Sequence, residues 1–284
     1  MSTFTTNDGV TLHYLDTGGD GVPLVMLHGW GQTQAMFQHQ FNGLGSTRRV
    51  ITLDQRGHGL SDKPDHGYRI ARFAQDFSDL LDYLDLDKAD VLGWSMGVSV
   101  LWSYIDLNGT ARLRRFIAVD QPAAVAAVPW LTEPEQAESG AIFGVDWLVG
   151  LGAQLNGPDG PAVTEAFVRS TFSNQPSDEI WDLVTREIRT VPAFAAVPLL
   201  FDHATQDWRD VLPRINIPTL VIGCDGSHIH PDSQRYIADR IPDARVHVFP
   251  RDIANSHFPF LESPAAFNAL ANEFLTEETE SRLG

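Results

Sequence analysis

The sequence predicts an α/β fold built on a doubly wound, mostly parallel sheet. Three observations predict it. Short apolar runs rich in branched residues alternate with longer segments of helical period along most of the 284 residues, as strands and helices do in such sheets. The middle runs are apolar at nearly every position, which is the pattern of parallel strands covered on both faces. One long stretch, from about Ala123 to about Arg209, breaks the rhythm and carries helical patterns without clear strands.

Taken in order, the runs Val10–Leu15, Leu24–Leu27, Val50–Leu53, Val91–Leu92 and Phe116–Val119 read as strands, and Thr219–Ile222 and Val246–Phe249 as two more. Between the third and fourth lies an amphipathic helix. Ile70, Phe73, Phe77, Leu80, Leu81 and Leu84 keep helical spacing on its apolar face, with Asp76, Asp79 and Asp82 expected outward. A helix over Val98–Leu107 follows the fourth strand. The irregular stretch crowds Trp130, Phe143, Trp147, Phe167, Phe172, Trp181, Phe194 and Phe201 around a loop at Asn156–Pro161, and reads as a helical insertion above the sheet. The last helix starts with Ser263 as cap and Pro264 at its first position, burying Phe267, Leu270 and Phe274. The polar tail from Thr276 to Gly284 is expected to fray.

Composition narrows the function. Hydrophobic residues make up 43% and charged residues 20% of the chain, enough apolar material to rule out disorder as a whole-chain reading. Twenty basic against 37 acidic residues give a formal charge of −17, which repels phosphate backbones and anionic lipid heads. No nucleic-acid or membrane role is therefore expected. Cys224 is the single cysteine, so no internal disulfide or cysteine-built metal site is available. The polar start, Met1–Gly9, has no apolar core of a signal peptide. A cytoplasmic protein is the default expectation.

The sharpest chemical signal is Gly93-Trp94-Ser95-Met96-Gly97, after one strand and before a helix. A serine in that setting sits on a tight turn with its hydroxyl raised above the sheet edge, and the glycines let neighbouring backbone pass close to a strained residue. His28-Gly29-Trp30-Gly31 directly follows Leu24–Leu27. Its turn can aim the Trp30 N–H into the site, where it would join the Met96 N–H to stabilise an oxyanion. Trp30 and Trp94 are the candidate substrate-contacting side chains, favouring an apolar or aromatic group. His228 and His230 have ligand-like spacing but no third ligand nearby, so no metal is expected.

Taken together, His28-Gly29-Trp30, Asp54-Gln55-Arg56-Gly57-His58-Gly59-Leu60-Ser61, Gly93-Trp94-Ser95-Met96-Gly97 and Ser256-His257-Phe258-Pro259 resemble, in order and spacing, the α/β-hydrolase superfamily, including its non-haem haloperoxidase-like and esterase members. The resemblance covers nearly the whole chain. It implies an eight-stranded, mostly parallel sheet formed by residues 1–122 and 210–284, a helical cap over residues 123–209, and a Ser–acid–His triad without cofactor. Ser95 would be the nucleophile and His257 the base. Arg56 and His58 would be hydrogen-bonding scaffold. The acid has two candidates. Asp225 lies in the usual loop, but one place early, and that loop is one residue too long; Asp120 ends the strand after the nucleophile helix, from which some members, including cofactor-free dioxygenases, take their acid. Asp120 is preferred, with Asp225 as runner-up.

These residues predict a serine hydrolase that cleaves a small, mostly apolar carboxylic ester or lactone through an acyl-enzyme, with peroxide able to replace water in a side reaction. A cofactor-free dioxygenase acting on a hydroxylated N-heteroaromatic is the alternative, and a ligand-binding signalling protein of the same fold a third reading. Haloalkane dehalogenase and epoxide hydrolase chemistry is disfavoured, because it needs a carboxylate where Ser95 stands.

Overall fold

The computed structural model of the protein describes residues 2–277, so the expectation of a frayed tail falls largely outside the described residues. Eight strands form one sheet: β1 (Ser2–Thr5), β2 (Thr11–Asp16), β3 (Leu24–Leu27), β4 (Val50–Leu53), β5 (Ala89–Trp94), β6 (Leu113–Val119), β7 (Thr219–Cys224) and β8 (Ala244–Phe249). Their order across the sheet is β1-β2-β4-β3-β5-β6-β7-β8. β1 pairs antiparallel with β2 and β2 antiparallel with β4 at one edge, and every pairing from β4 onward across the sheet is parallel. β1 carries the polar sequence Ser-Thr-Phe-Thr with one buried side chain, so nothing in its pattern marks it as a strand.

The parallel register positions everything that follows. Leu27 pairs with Gly93, Trp94 with Val119, and Val119 with Ile222, so the carboxyl ends of β3, β5, β6 and β7 stand side by side. The strand order reverses between β3 and β5, and a crevice opens outside the strand ends at such a switch point.

Helices α1 (Gln38–Leu44), α2 (Ile70–Tyr83) and α3 (Met96–Asn108) connect the first half of the sheet. Five helices fill the long connection from β6 to β7: α4 (Glu133–Ser139), α5 (Val145–Leu155), α6 (Gly160–Arg169), α7 (Asp178–Ile188) and α8 (Ala193–Ala204). A two-residue parallel pairing of Ala126–Ala127 with Phe143–Gly144 is its only β structure of strand length among the described residues. The predicted Gly-Pro loop is real but shorter than expected, since α6 already begins at Gly160. The chain closes with α9 (Pro231–Arg240), the single-turn α10 (Pro259–Glu262) and α11 (Pro264–Thr276). Phe267 and Phe274 are buried as expected, whereas Leu270 is only partly covered and Ser263 makes no side-chain cap bond.

One expectation fails on α2. Asp76 points inward and is 2% exposed. It accepts from Arg56 Nε at 2.7 Å and Nη2 at 2.8 Å, and the Arg56 side chain is fully buried. A second bond from Arg56 Nη2 reaches Asp8 at 2.9 Å. Periodicity sends a carboxylate to solvent by default; a guanidinium brought in from a distant loop reverses that, because a buried charge needs a partner. Asp82 is exposed and Asp79 partly so, as the helical pattern predicts.

Arg56 thus ties the loop after β4 to α2. Replacing it with Met removes the bidentate partner and leaves buried Asp76 with Arg72 alone, at 2.9 Å, and we expect a loss of about 2 kcal/mol in unfolding free energy, measurable as a lower urea midpoint at unchanged slope.

Candidate functional site

Ser95 joins β5 to α3 with φ 52° and ψ −125°. This is left-handed territory for a residue with a side chain, which costs about 1–2 kcal/mol. Two close approaches sustain it. A Cβ on Gly97 would collide with the carbonyl oxygen of Leu27, and a Cβ on Gly93 would lie 2.6 Å from the Gly97 carbonyl carbon. The helix therefore starts hard against the end of β3. Its first N–H, that of Met96, lacks an intrahelical acceptor because of its position.

The facing turn is fixed by two buried histidines. His28 Nε2 accepts from the Gln55 N–H at 3.1 Å, while its Nδ1 lies 2.9 Å from the Gly29 carbonyl. His58 Nε2 accepts from the Gly31 N–H at 3.3 Å, with its Nδ1 2.9 Å from the Arg56 carbonyl. Each ring donates through Nδ1 and accepts through Nε2, which requires the neutral form. Burial pushes His28 down to about 4 and His58 down to about 3, so both stay neutral. Gly31 and Gln32 N–H groups are engaged, leaving the Trp30 N–H uncommitted among the described hydrogen bonds.

Asp120 ends β6, also with positive φ (49°), and is fully buried. Its Oδ2 lies 2.7 Å from His257 Nδ1 and accepts from the Ser227 hydroxyl at 2.5 Å. Asp225 is exposed on the far side of that loop and makes no contact with His257 among the described residues. The runner-up acid is thus corrected: the turn that carries Asp225 aims Ser227, two residues on, at Asp120. Burial pushes the Asp120 carboxyl upward, against the pull of the Ser227 hydrogen bond and nearby His228. Burial pushes the His257 imidazole downward.

His257 is held from both sides. Trp94 Nε1 donates to its carbonyl at 2.8 Å, and the indole packs on its ring with centroids 5.2 Å apart. Next to it, Phe258 stacks on Phe172 of the insertion at 4.4 Å and 8° between planes. Trp94 is 2% exposed, so its indole braces the histidine loop more than it offers a surface. Trp30 lies under the insertion, donating Nε1 to the Ala196 carbonyl at 2.8 Å and meeting Phe167 edge-on at 5.7 Å.

Ser95 and His257 line one cavity of about 480 Å³, roofed by Phe143, Trp147 and Phe167 of the insertion. Of the other predicted insertion aromatics, Trp130 and Phe194 are exposed, and Phe172, Trp181 and Phe201 pack on the core. The sequence reading missed Ser227, and it missed that His203 and His228 also line this cavity. The H-x-H spacing of His228 and His230 marked the segment, but the two rings part: His228 turns in beside His257, and exposed His230 caps α9. No group of three or more histidine, cysteine or acidic side chains able to hold a metal occurs among the described residues. None of the described helices is long and apolar enough to cross a membrane.

The chain matches the alpha/beta hydrolase fold family over residues 22–264. It belongs to that family. The family expected from its four motifs is therefore correct, and the eight-stranded, mostly parallel sheet is that of an α/β hydrolase. Among relatives, the chain is 29% identical over 275 residues to the non-heme chloroperoxidase CPO-A1 of Kitasatospora aureofaciens, covering 88% of this chain and 90% of that one. It is 28% identical over 221 residues to 3-oxoadipate enol-lactonase 1 of Acinetobacter baylyi, covering 77% and 76%. An esterase from Exiguobacterium antarcticum superposes with a TM-score of 0.86 at 22% identity, over 97% of this chain and 99% of that one. That structural likeness speaks for the fold.

The strand-end packing of this α/β hydrolase leaves no room for a methyl group at Gly97. We expect Gly97→Ala to lose about 3 kcal/mol or more, read from urea unfolding followed by tryptophan fluorescence.

Proposed function

We propose that this α/β hydrolase is a serine hydrolase that cleaves a small, mostly apolar carboxylic ester or lactone through an acyl-enzyme. The observation that carries the reading is the 2.7 Å contact of His257 Nδ1 with buried Asp120, on a ring that shares a cavity with Ser95. With Nδ1–H given to Asp120, His257 presents a basic Nε2. It takes the proton as Ser95 Oγ attacks the carbonyl carbon. The negative charge that develops on the carbonyl oxygen falls to the Trp30 and Met96 N–H groups. His257 then returns the proton to the alkoxide, which leaves as the alcohol. Water enters, gives its proton to His257 and attacks the acyl carbon, and Ser95 departs with that proton.

The helices over the strand ends act as a cap in this reading. Their aromatic roof excludes water and favours an apolar acyl or alcohol group. Names among the relatives add support, since one is an enol-lactonase and another a chloroperoxidase. The latter fits a variant of the same cycle, in which hydrogen peroxide replaces water and the acyl group leaves as a peracid.

Two tests follow. Ser95→Ala should abolish hydrolysis of p-nitrophenyl butyrate, and a serine-directed phosphonate should add its mass to Ser95 in the unmodified enzyme. Asp120→Asn should cost about four orders of magnitude in kcat, whereas Asp225→Asn should leave kcat within about twofold. Oxygen uptake on a hydroxyquinolone that survives Ser95→Ala would instead favour cofactor-free oxygenation. The pH profile is a further test. His257 works as a base only when neutral, and burial lowers its affinity for a proton. Activity should therefore be present at neutral pH and fade, as pH falls, through a midpoint below the ordinary imidazole value of about 6.5. An acid limb in kcat/KM above pH 7 would contradict the arrangement.

A further inference from the structure

The cavity holds two imidazoles that the hydrolytic cycle does not use. His203, on α8, is 5% exposed, and its Nδ1 is buried without a hydrogen-bond partner. His228, in the loop between β7 and α9, also has a buried and unpartnered Nδ1, and its ring meets His257 edge-on with centroids 4.7 Å apart. Neither side chain makes a hydrogen bond to the protein among the described residues.

Most other polar side chains lining the cavity are committed, although Gln32, whose Nε2 donates to the Val184 carbonyl at 3.5 Å, keeps a buried Oε1 without a partner. The Ser170 hydroxyl donates to the Phe167 carbonyl at 2.6 Å, the Thr171 hydroxyl to the Val168 carbonyl at 2.7 Å, and Gln121 Nε2 to the Pro122 carbonyl at 3.1 Å. Two idle imidazoles beside a reaction centre are unusual, because buried polar groups nearly always have partners. What they await is also constrained. Burial pushes both rings down to about 3, so at neutral pH each is an uncharged donor and acceptor. No lysine or arginine among the described residues lines the cavity. A carboxylate or phosphate would be taken out of water there with no countercharge. A hydroxyl or oxo group meets no such cost and satisfies a neutral imidazole in either sense.

We propose that His203 and His228 form a polar subsite that holds a neutral hydroxyl or oxo substituent on the acyl part of the substrate, a few bonds from the carbonyl that Ser95 attacks. The inference rests on the ester-hydrolase reading and narrows it: the substrate is an oxygenated acyl ester or lactone, apolar elsewhere. His228 sits against His257, which places the substituent close to the reacting carbon. His203 reaches the same space from the insertion, so the subsite is complete only with α8 in place.

The test uses binding, so that it does not depend on turnover. Ser95→Ala is titrated by calorimetry with ethyl 3-hydroxyhexanoate and with ethyl hexanoate. The hydroxy ester should bind about tenfold more tightly. Adding His203→Phe or His228→Phe should bring the two affinities together, and His228→Asn, which keeps a hydrogen-bonding head, should restore part of the difference. Near-ultraviolet circular dichroism checks that each variant keeps its packing. Equal binding of the two esters by Ser95→Ala overturns the subsite, and so does a preference that survives both phenylalanine variants. Hydrolysis of either ester by Ser95→Ala sinks the parent reading instead, while the ratio of affinities still reports on the two histidines.

Discussion

The site hangs on one hydrogen bond between residues 137 positions apart, from His257 to a carboxylate that no water reaches. A buried charge is unfavourable unless it is closely met. Asp120 Oδ2 is met twice, by the imidazole and by the Ser227 hydroxyl. That requirement organises the surroundings. The His257 loop must come down onto the end of β6, and the loop after β7 must turn Ser227 inward. The Trp94 indole and the stacked pair Phe172–Phe258 hold the first of these loops from below and from above.

Strain is spent at the same place. Ser95 and Asp120 follow strands that are direct neighbours, and both have positive φ. The third non-glycine case, Asp85, lies in an exposed turn just beyond α2. Two left-handed residues cost together a few kcal/mol, which persists only because the parallel register over-determines the strand ends. Ser95 N–H is bonded to the Val119 carbonyl and Asp120 N–H to the Ile222 carbonyl, each at under 3 Å (2.9 and 2.8 Å). The backbone is anchored up to the strained residue on each strand, and both side chains are thrown off the sheet at its carboxyl edge. Helix α3 cannot relax away, since Gly97 is pressed on the end of β3.

Much of this was legible in the sequence because it is local. Apolar runs gave the central strands, and a serine between glycines at a strand–helix junction gave the turn. Asp120 was readable as a charge ending an apolar strand, although Asp225 competed with it on sequence position alone. What escaped depends on distant partners. Asp76 has the spacing of an exposed residue, and the approach of Arg56 from another loop, beside Arg72 of the same helix, makes it a buried one. β1 is a strand because β2 offers it an edge, not because its residues alternate. His228 carried a signal of the wrong kind: its spacing from His230 suggests paired ligands, yet a helix cap draws one ring outward and the cavity takes the other. The role of Trp94 was half visible, since adjacency to Ser95 places it near the site but does not tell which way an indole of 2% exposure is turned.

The position of the buried carboxylate bonded to His257 has a consequence for the loop after β7. With Asp120 supplied by β6, that loop carries no carboxylate to the imidazole, and Asp225 is left in solvent. The loop is then free to serve the site in two other ways. Ser227 donates to Asp120 and at the same time accepts from the Ile229 N–H at 3.1 Å, which fixes the turn between them. His228, the residue between, is thereby turned into the cavity against His257. With the buried carboxylate on β6, this loop presents a neutral ring to the cavity. In a chain of formal charge −17, with no lysine or arginine among the described residues lining the cavity, that arrangement leaves the cavity uncharged apart from the shielded Asp120. On the proposed hydrolytic reading, such an uncharged, enclosed space is where the Trp30 and Met96 N–H dipoles would act most strongly on a developing oxyanion.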